Sequence, residues 1–412
     1  MDRLIALHVR GTPDPLLRDE GIPGVRHYAL ADELPTGNAP YLTWDAYPIS
    51  VVRSKLIASG QFLIAPEPVK LGIVLVARLD NACRQETPLA NRVHLKIAVA
   101  DYPHTAAVKN GSIAIDGVDA EFITVQPQIA AFRRMVRQVE FDVCELAPTT
   151  YFIARAYGAP FVALPIFMVR RFHHAGLLVR PDSGIKAPKD LEGRKVGVRA
   201  YSVTTGVWTR GILMDEFDLD SSKVTWVVDD EEHVTQLMLP PNVIRAPPGR
   251  SLADMMAAGE LAAGFHANAG IGRSGSPTDG WKAAPTNYPD VFPNAEELEA
   301  DWFRRTGIYP MHGTIVVKDS VLAQYPWVAQ SLYQAFSRAK DEWLARLDAG
   351  DVKSESDRKY VRLRNIVGHD PLPFGMQANL KTLEALADTA HKQKLTPTRM
   401  SLDALFVDPE RH

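Results

Sequence analysis

From residue 93 onward, short apolar runs alternate with amphipathic segments. Residues 94–100 alternate apolar and polar positions as a half-buried strand does, and residues 129–139 have the spacing of an amphipathic helix. Strands that alternate with helices at this spacing predict an α/β fold with mixed sheets covered on both faces. Further strands are predicted at 141–146, 161–169, 175–179, 195–198, 224–228, 261–265 and 313–317, with a strand pair in 113–125 around a turn at 116–117. Packing helices are predicted at 325–347 and 380–391.

One of these units has the features of an anion site. The strand at 195–198 leads to Ser202, Thr204 and Thr205, which can cap a helix that continues to residue 213. A helix N-terminus presents unpaired N–H groups and the positive end of a dipole, and Arg210 adds a full charge one turn later. The pattern therefore predicts either a carboxylate or phosphate site or an ordinary capped helix.

Residues 1–92 lack such regularity. Prolines recur from residue 13 to residue 88 and interrupt any long period, and the apolar stretch at 71–76 is the one strand candidate. Two interpretations stay open for this N-terminal extension of uncertain structure. It is an appended region, or it precedes the true start of the protein, since Val93 is a residue that an alternative start codon can specify.

Composition narrows the class of protein. The 412 residues are 46% hydrophobic and 23% charged, as in soluble globular proteins of two or three domains. A net charge of -3 gives no electrostatic footprint for nucleic acid or for an anionic membrane. Two cysteines and the lack of a three-part secretory signal lead us to expect a cytoplasmic protein.

The order of the elements resembles a known two-lobed fold. Residues 184–198 are similar to the passage in type II periplasmic-binding-protein folds where the chain enters the second lobe, and residues 313–317 match its return. The resemblance implies a ligand cleft between the lobes. It divides the chain into an N-terminal extension (1–92), a first lobe (93–180 and, with the C-terminal helices, 313–412) and a second lobe (181–312).

Five motifs then point to one family. They are Asp101-Tyr102, residues 141–143 with Glu145, residues 171–174, Tyr201 with residues 207–211, and residues 303–308 with Pro310. Together they resemble the 4,5-dihydroxyphthalate decarboxylase family over about 93–406. The resemblance implies removal of one carboxylate from an aromatic diacid, leaving 3,4-dihydroxybenzoate, without an organic cofactor. The alternative from another class is a solute-binding protein for an aromatic or organic acid in an ABC-type uptake system.

Candidate roles follow from the chemistry of aryl decarboxylation. The ring carbon needs a proton from a general acid, and the carboxylate that stays on the ring needs a cation. We expect Arg171 and Arg210, then Arg304 and Arg305, to bind carboxylate. His174 is the expected proton donor, because it would face the cleft from the crossing strand while His173 points away. His104 and His312 are alternative site histidines.

The remaining candidates are expected to contact the catechol ring of the substrate. Asp101 and Glu145 end first-lobe strands and could accept from catechol hydroxyls, and Tyr102 and Tyr201 could wall the ring. No metal site is predicted, because the histidines form no H-E-x-x-H pattern, although a catechol could chelate a divalent ion together with Asp101 or Glu145. The expected partner is a small aromatic acid, and a homo-oligomer is compatible with the sequence.

Overall fold

The computed structural model describes residues 92–275, 282–284 and 286–410, and the backbone alone at 6–9, 73–76 and 411. The chain divides into two compact units, Met1–Glu86 and Thr87–His412. In the first unit, β1 (Ala6–Val9) pairs antiparallel with β2 (Ile73–Val76), which is where the sequence predicted a strand. The rest of the predicted N-terminal extension lies outside the described residues.

The second unit contains the remaining elements. Its strands are β3 Val93–Ala98, β4 Val118–Phe122, β5 Val143–Leu146, β6 Phe161–Arg170, β7 Leu177–Val179, β8 Lys195–Gly197, β9 Thr225–Val228, β10 Val243–Arg245, β11 Ala263–Phe265, β12 Arg273–Ser274, β13 Lys282–Ala283 and β14 Met311–Lys318. Its helices are α1 Ala106–Lys109, α2 Gln128–Gln138, α3 Pro148–Ala156, α4 Thr204–Glu216, α5 Leu252–Ala257, α6 Ala295–Thr306, α7 Asp319–Gln324, α8 Val328–Asp348, α9 Glu355–Val367, α10 Leu380–Lys392 and α11 Leu402–Leu405.

Two five-stranded mixed sheets form two lobes. The first-lobe sheet has the order β4-β3-β5-β14-β6, and the second-lobe sheet has the order β10-β9-β8-β11-β7. In the first lobe β3 is parallel to β4 and β5, whereas β14 is antiparallel to β5 and β6. This is the α/β architecture with mixed sheets and two lobes that the sequence predicted.

The chain changes lobes twice. β6 ends the first-lobe sheet at Arg170 and β7 already pairs with β11 in the second-lobe sheet, so the first crossing lies at residues 171–176. The crossing is therefore earlier than the predicted boundary at 180, because the apolar run after it is a second-lobe strand. The return at residues 307–310, between α6 and β14, adjoins the predicted boundary at 312.

One local prediction was wrong. The predicted strand pair in 113–125 is a single strand, β4, which lies parallel to β3 with Val93 opposite Val118. Ile113 and Ile115 are buried in the core of the first lobe instead of forming a hairpin arm. Apolar side chains in a covering loop and in an edge strand give similar patterns, so the sequence did not separate them.

The core of the first lobe lies between the sheet and α8, where Trp343, Phe336 and Leu332 are buried. No helix in the part of the chain that the structure describes is long and apolar enough to cross a membrane.

Candidate active site

One edge of the first-lobe sheet collects polar side chains from four strands. Because β14 runs antiparallel to β5 and β6, its start lies at the edge where β5 and β6 end. Tyr102 follows β3, Glu145 lies near the end of β5, Arg171 follows β6, and His312 is the second residue of β14. This edge faces the crossings to the second lobe, so it forms the floor of the cleft.

Glu145 is a buried acid at this edge. Its side chain is 2% exposed. Burial raises the pKa of Glu145 to about 7, against the opposing effect of two hydrogen bonds. The Tyr102 hydroxyl donates to Oε1 at 2.7 Å, and the Ala100 N–H donates to Oε2 at 3.2 Å. Glu145 is therefore both oriented and able to exchange a proton near neutral pH.

Gly313 makes room for this carboxyl group. A Cβ at position 313 would lie 2.6 Å from Oε1 of Glu145 and 3.1 Å from Cβ of Met168. The pairing of β14 with β6 is irregular on both sides of Gly313, which is the kind of bulge that re-aims side chains beside active sites.

Arg171 joins the two lobes at the crossing. Its Nη2 donates to Oγ1 of Thr205 at 2.8 Å and to Nε2 of His312 at 2.9 Å. Thr205 belongs to the first turn of α4 in the second lobe, and its Oγ1 lies 3.3 Å from the same histidine nitrogen. No carboxylate among residues 92–275, 282–284 and 286–410 forms an ion pair with Arg171. The guanidinium is thus a cation held in place by neutral partners.

The neighbouring histidines are neutral, with His173 buried and His312 half-buried. His173 stacks on His312 with ring centroids 4.9 Å apart. Burial, and then the charge of Arg171, lowers the pKa of His312 well below its usual value. Burial and the proximity of His312 likewise lower the pKa of His173 well below its usual value. An uncharged ring that accepts from Arg171 leaves the arginine charge available to a ligand.

The predicted orientation of the histidine pair is reversed. His174 is 2% exposed and packs edge-on against Trp302 of α6, with ring centroids 5.3 Å apart. Burial lowers the pKa of His174 to about 4. His173, not His174, therefore lies with His312 and Arg171 at the cleft.

Arg210 is part of the second-lobe core. It is fully buried, its Nε donates to Oε1 of Gln393 at 2.8 Å, and its guanidinium lies 3.9 Å from the centre of the Tyr201 ring. Arg210, with Tyr201 beside it, therefore packs α4 against Gln393 at the end of α10 and against Trp226 of β9.

The anion site predicted before α4 is filled by the carboxylate of Glu232 from the same chain. Its carboxylate accepts from the N–H of Tyr201 at 2.6 Å and from the N–H of Ser202 at 3.2 Å. The positive potential of this loop is therefore satisfied internally, while Thr205 remains at the cleft.

Three other candidates lie apart from the cleft edge. Asp101 is exposed and pairs with Lys109, and Arg305 lies on the surface of α6, where it pairs with Glu216 at 2.6 Å and with Asp301 at 2.8 Å. His104 is buried behind Tyr102, with the two rings stacked at 5.1 Å. Burial lowers the pKa of His104 to about 3, so it supports Tyr102 as a neutral ring.

Sequence reasoning missed two residues of α9. Tyr360 is 2% exposed and its hydroxyl accepts from the Arg170 N–H at 3.2 Å. Lys359 precedes it, and the Lys359 charge contributes to the lowered pKa of His173 and His312. Nothing in the local sequence marks this Lys-Tyr pair, because it lies on a polar amphipathic helix that reaches the site only through the tertiary fold.

Within the described residues, no group of three or more His, Cys, Asp or Glu side chains is arranged to hold a metal ion. Two surface cavities of about 480 and 600 Å³ are lined by residues other than those of the cleft edge. The lobes meet over the edge itself, where Oγ1 of Thr149 lies 2.6 Å from Oγ1 of Thr204.

Comparison with known proteins gives two close relatives. The 4,5-dihydroxyphthalate decarboxylase of Comamonas testosteroni is 31% identical over 332 residues, which cover 77% of this chain and 97% of the relative. The 4,5-dihydroxyphthalate decarboxylase of Pseudomonas putida is 36% identical over 185 residues, which cover 43% of this chain and 71% of the relative.

Two further similarities are to binding proteins. A family model described as the periplasmic substrate-binding protein of a phosphonate ABC transporter matches residues 116–238. The alkanesulfonate-binding protein SsuA of Xanthomonas axonopodis pv. citri, solved bound to MOPS, aligns with a TM-score of 0.43 and 13% identity, over 77% of this chain and 98% of SsuA.

Proposed function

The chain belongs to the family of 4,5-dihydroxyphthalate decarboxylases, and on that premise we propose that it converts 4,5-dihydroxyphthalate to 3,4-dihydroxybenzoate and CO2. One observation carries the proposal. A buried acid with a pKa of about 7, Glu145, lies at the same sheet edge as Arg171, a cation without a carboxylate partner in the described chain. An acid and a carboxylate anchor at the same edge of one site are what this reaction needs.

Glu145 is the proton donor in this proposal. Its protonated carboxyl gives its hydrogen to the ring carbon that bears the departing carboxylate, and a C–H bond forms. The C–C bond to the carboxylate then breaks, its electron pair returns to the ring, and CO2 leaves. Glu145 remains as a carboxylate and recovers its proton from solvent. Tyr102 holds Oε1 throughout, so the acid keeps one orientation.

Arg171 positions the substrate. Thr205 and His312 fix its guanidinium from two sides, and the neutral His312 ring does not compete for the ligand. A planar guanidinium can hold a carboxylate through two parallel hydrogen bonds, which orients the ring as well as binding it. The substrate then lies between this anchor and Glu145.

Incubation of the purified protein with 4,5-dihydroxyphthalate tests the proposal. We expect CO2 and 3,4-dihydroxybenzoate to appear in equal amounts, as followed by gas release and chromatography. A compound that binds and stays intact would instead support a solute-binding protein. If the compound neither binds nor reacts, the proposed substrate is wrong.

A parallel incubation with a chelator separates two roles of Glu145. Turnover that survives chelation supports acid catalysis by Glu145. Turnover that is lost and returns with added divalent metal would make Glu145 a ligand of a metal–catechol complex.

We also propose a cytoplasmic location, on the sequence argument alone. Fractionation of producing cells tests it, and recovery of the protein with periplasmic markers would contradict it.

A further inference from the structure

Lys359 is a cation that the fold leaves without a counter-ion. Its side chain is half-buried on α9, with Nζ 4.9 Å from the centre of the Tyr360 ring. No carboxylate in the described part of the chain forms an ion pair with it. Burying an ammonium group in this way costs free energy, so a compensating anion is to be expected at this position.

Other basic residues of the same helix are paired. Arg358 and Arg362 both pair with Glu355, and Arg364 pairs with Asp348 at 2.9 Å. Asp357 is a further acid near Lys359 in sequence, but its carboxylate accepts from the Trp343 indole N–H at 2.8 Å and from the Ser354 N–H at 2.8 Å. Lys359 therefore differs from its neighbours in location rather than in residue type.

That location is the cleft edge. The hydroxyl of Tyr360, the next residue, accepts the N–H of Arg170, which directly precedes Arg171. Burial, and then the charge of Arg171, lowers the pKa of Lys359 to about 8. Two cations that each lack a carboxylate partner in the described chain, and that lie at one edge of the sheet, are arranged to share an anion.

We propose that Lys359 and Arg171 together bind the carboxylate that stays on the ring. The assignment rests on the proposed function. Cations stabilise a carboxylate and so oppose its loss as neutral CO2, which places the departing carboxylate away from the pair. It faces Glu145 and Tyr102 instead, where the acid can protonate its ring carbon.

This arrangement predicts that the reaction stops after one step. The product retains a single carboxylate, and the two cations hold it. No carboxylate is then left opposite Glu145, so 3,4-dihydroxybenzoate stays intact and competes with the substrate.

The arrangement also sets a pH dependence for binding. Lys359 is charged below about pH 8 and loses its charge above it, so affinity for carboxylates falls as the pH rises through that value. The groups that face it are Arg171 and His173 on the crossing, His312 on β14, His104 after β3, and Tyr360 on its own helix. Burial holds the pKa of all three histidines below its usual value, and Glu145 at the same edge has a pKa of about 7, so Lys359 is the group that titrates near pH 8.

The test is equilibrium binding of phthalate and of 3,4-dihydroxybenzoate by calorimetry, together with KM and kcat for 4,5-dihydroxyphthalate. Lys359→Met should weaken binding of both acids by about 10-fold to 100-fold, the loss of one charged hydrogen bond. Lys359→Arg should keep the affinity and abolish its decline near pH 8. The control is Lys353→Met, since Lys353 is exposed near the start of the same helix and pairs with Asp351 at 2.9 Å.

Each outcome bears on one claim. Unchanged affinity of Lys359→Met for both acids, in a variant whose circular dichroism and melting match the wild type, overturns the role of Lys359 even if the wild type decarboxylates. Wild-type protein that binds phthalate but does not decarboxylate 4,5-dihydroxyphthalate overturns the proposed function. The binding data then still decide whether Lys359 holds a carboxylate.

Discussion

Glu145 and Gly313 form one geometric unit across the pair β5 and β14. The space beside Oε1 of Glu145 exists because residue 313 has no Cβ, which would lie 2.6 Å from that oxygen. Met168 closes the other side at 3.1 Å from the same position, so a side chain there has no free direction. The lack of a Cβ at Gly313 of β14 therefore allows the Glu145 carboxyl to take its position.

Gly313→Ala should displace the Glu145 carboxyl and reduce kcat by roughly 100-fold, since a misplacement of about 1 Å costs that much in a preorganised site. Steady-state kinetics with 4,5-dihydroxyphthalate provide the measurement. In a Glu145→Gln background the same change should cost little further activity. Equal losses in both backgrounds would show that Gly313 acts independently of Glu145.

The two arginines predicted to bind carboxylate differ in what surrounds them. Arg171→Ala should raise KM about 10-fold to 100-fold through loss of a charged contact, with little effect on stability. Arg210→Ala should instead lower the free energy of unfolding by about 2–5 kcal/mol, because it leaves a cavity beside Tyr201 and Gln393. Urea unfolding and KM are measured on both variants. An Arg210→Ala enzyme of normal stability but raised KM would refute the structural role of Arg210.

Residue types at the site were predictable, but their partners were not. Glu145, Tyr102, Arg171 and His312 were predicted from strand ends and from motif resemblance, and the structure brings them to one edge. Arg210 has the same charge and a similar sequence setting, yet its surroundings come from α10, far away along the chain. A sequence pattern gives no sign of such a distant partner, which is also why Lys359 was missed.

At the scale of elements, α2 of the first lobe contacts the second-lobe loop after β9. Arg137 donates to the Glu232 carbonyl at 2.8 Å and to the His233 carbonyl at 3.2 Å, and its Nη2 lies 3.0 Å from Oε2 of Glu231. Glu232 in turn holds the Tyr201–Ser202 loop that leads into α4. Helix α2 thereby supports the position of Thr205 at the cleft.

Arg137→Ala should loosen this contact between the lobes. We expect a several-fold rise in KM and faster amide hydrogen exchange at residues 199–205 and 230–234, because buried carbonyls lose their donor. Arg399→Ala is a matched control, since Arg399 makes its two ion pairs with Glu384 and Asp388 of α10. Exchange at these peptides that stays at the wild-type rate would rule out the supporting role of α2.

The element positions were largely predictable, with informative exceptions. Predicted strands at 94–100, 141–146 and 224–228 correspond to β3, β5 and β9, since each has a strong apolar period. The predicted strand at 161–169 is β6, which tolerates Pro165 because its pairing with β14 shifts register there. The predicted helix at 325–347 matches α8, which begins at Val328.

For the whole molecule, the two crossings place Arg171 and His312 between the lobes and make the cleft a joint product of both sheets. The two-lobed architecture was predictable from the order of the elements and from resemblance. The exact crossing at 171–176 was not, because β7 is a strand of three residues that reads as a continuation of the first lobe. In the proposed mechanism, the reaction depends on a proton from Glu145 of the first lobe and on Arg171 at the crossing.

The central claim is that Glu145 protonates the ring, and the pH dependence of kcat for CO2 release tests it most directly. Glu145 is protonated below its pKa of about 7, so wild-type kcat should fall roughly tenfold for each pH unit above that value. Glu299, whose pKa burial also raises to about 7, lies by the crossing and serves as a matched control. Glu299→Gln should keep the wild-type profile, whereas Glu145→Gln should lose at least about 100-fold in kcat and lack that decline. A Glu145→Gln enzyme with the wild-type rate and profile would contradict the account.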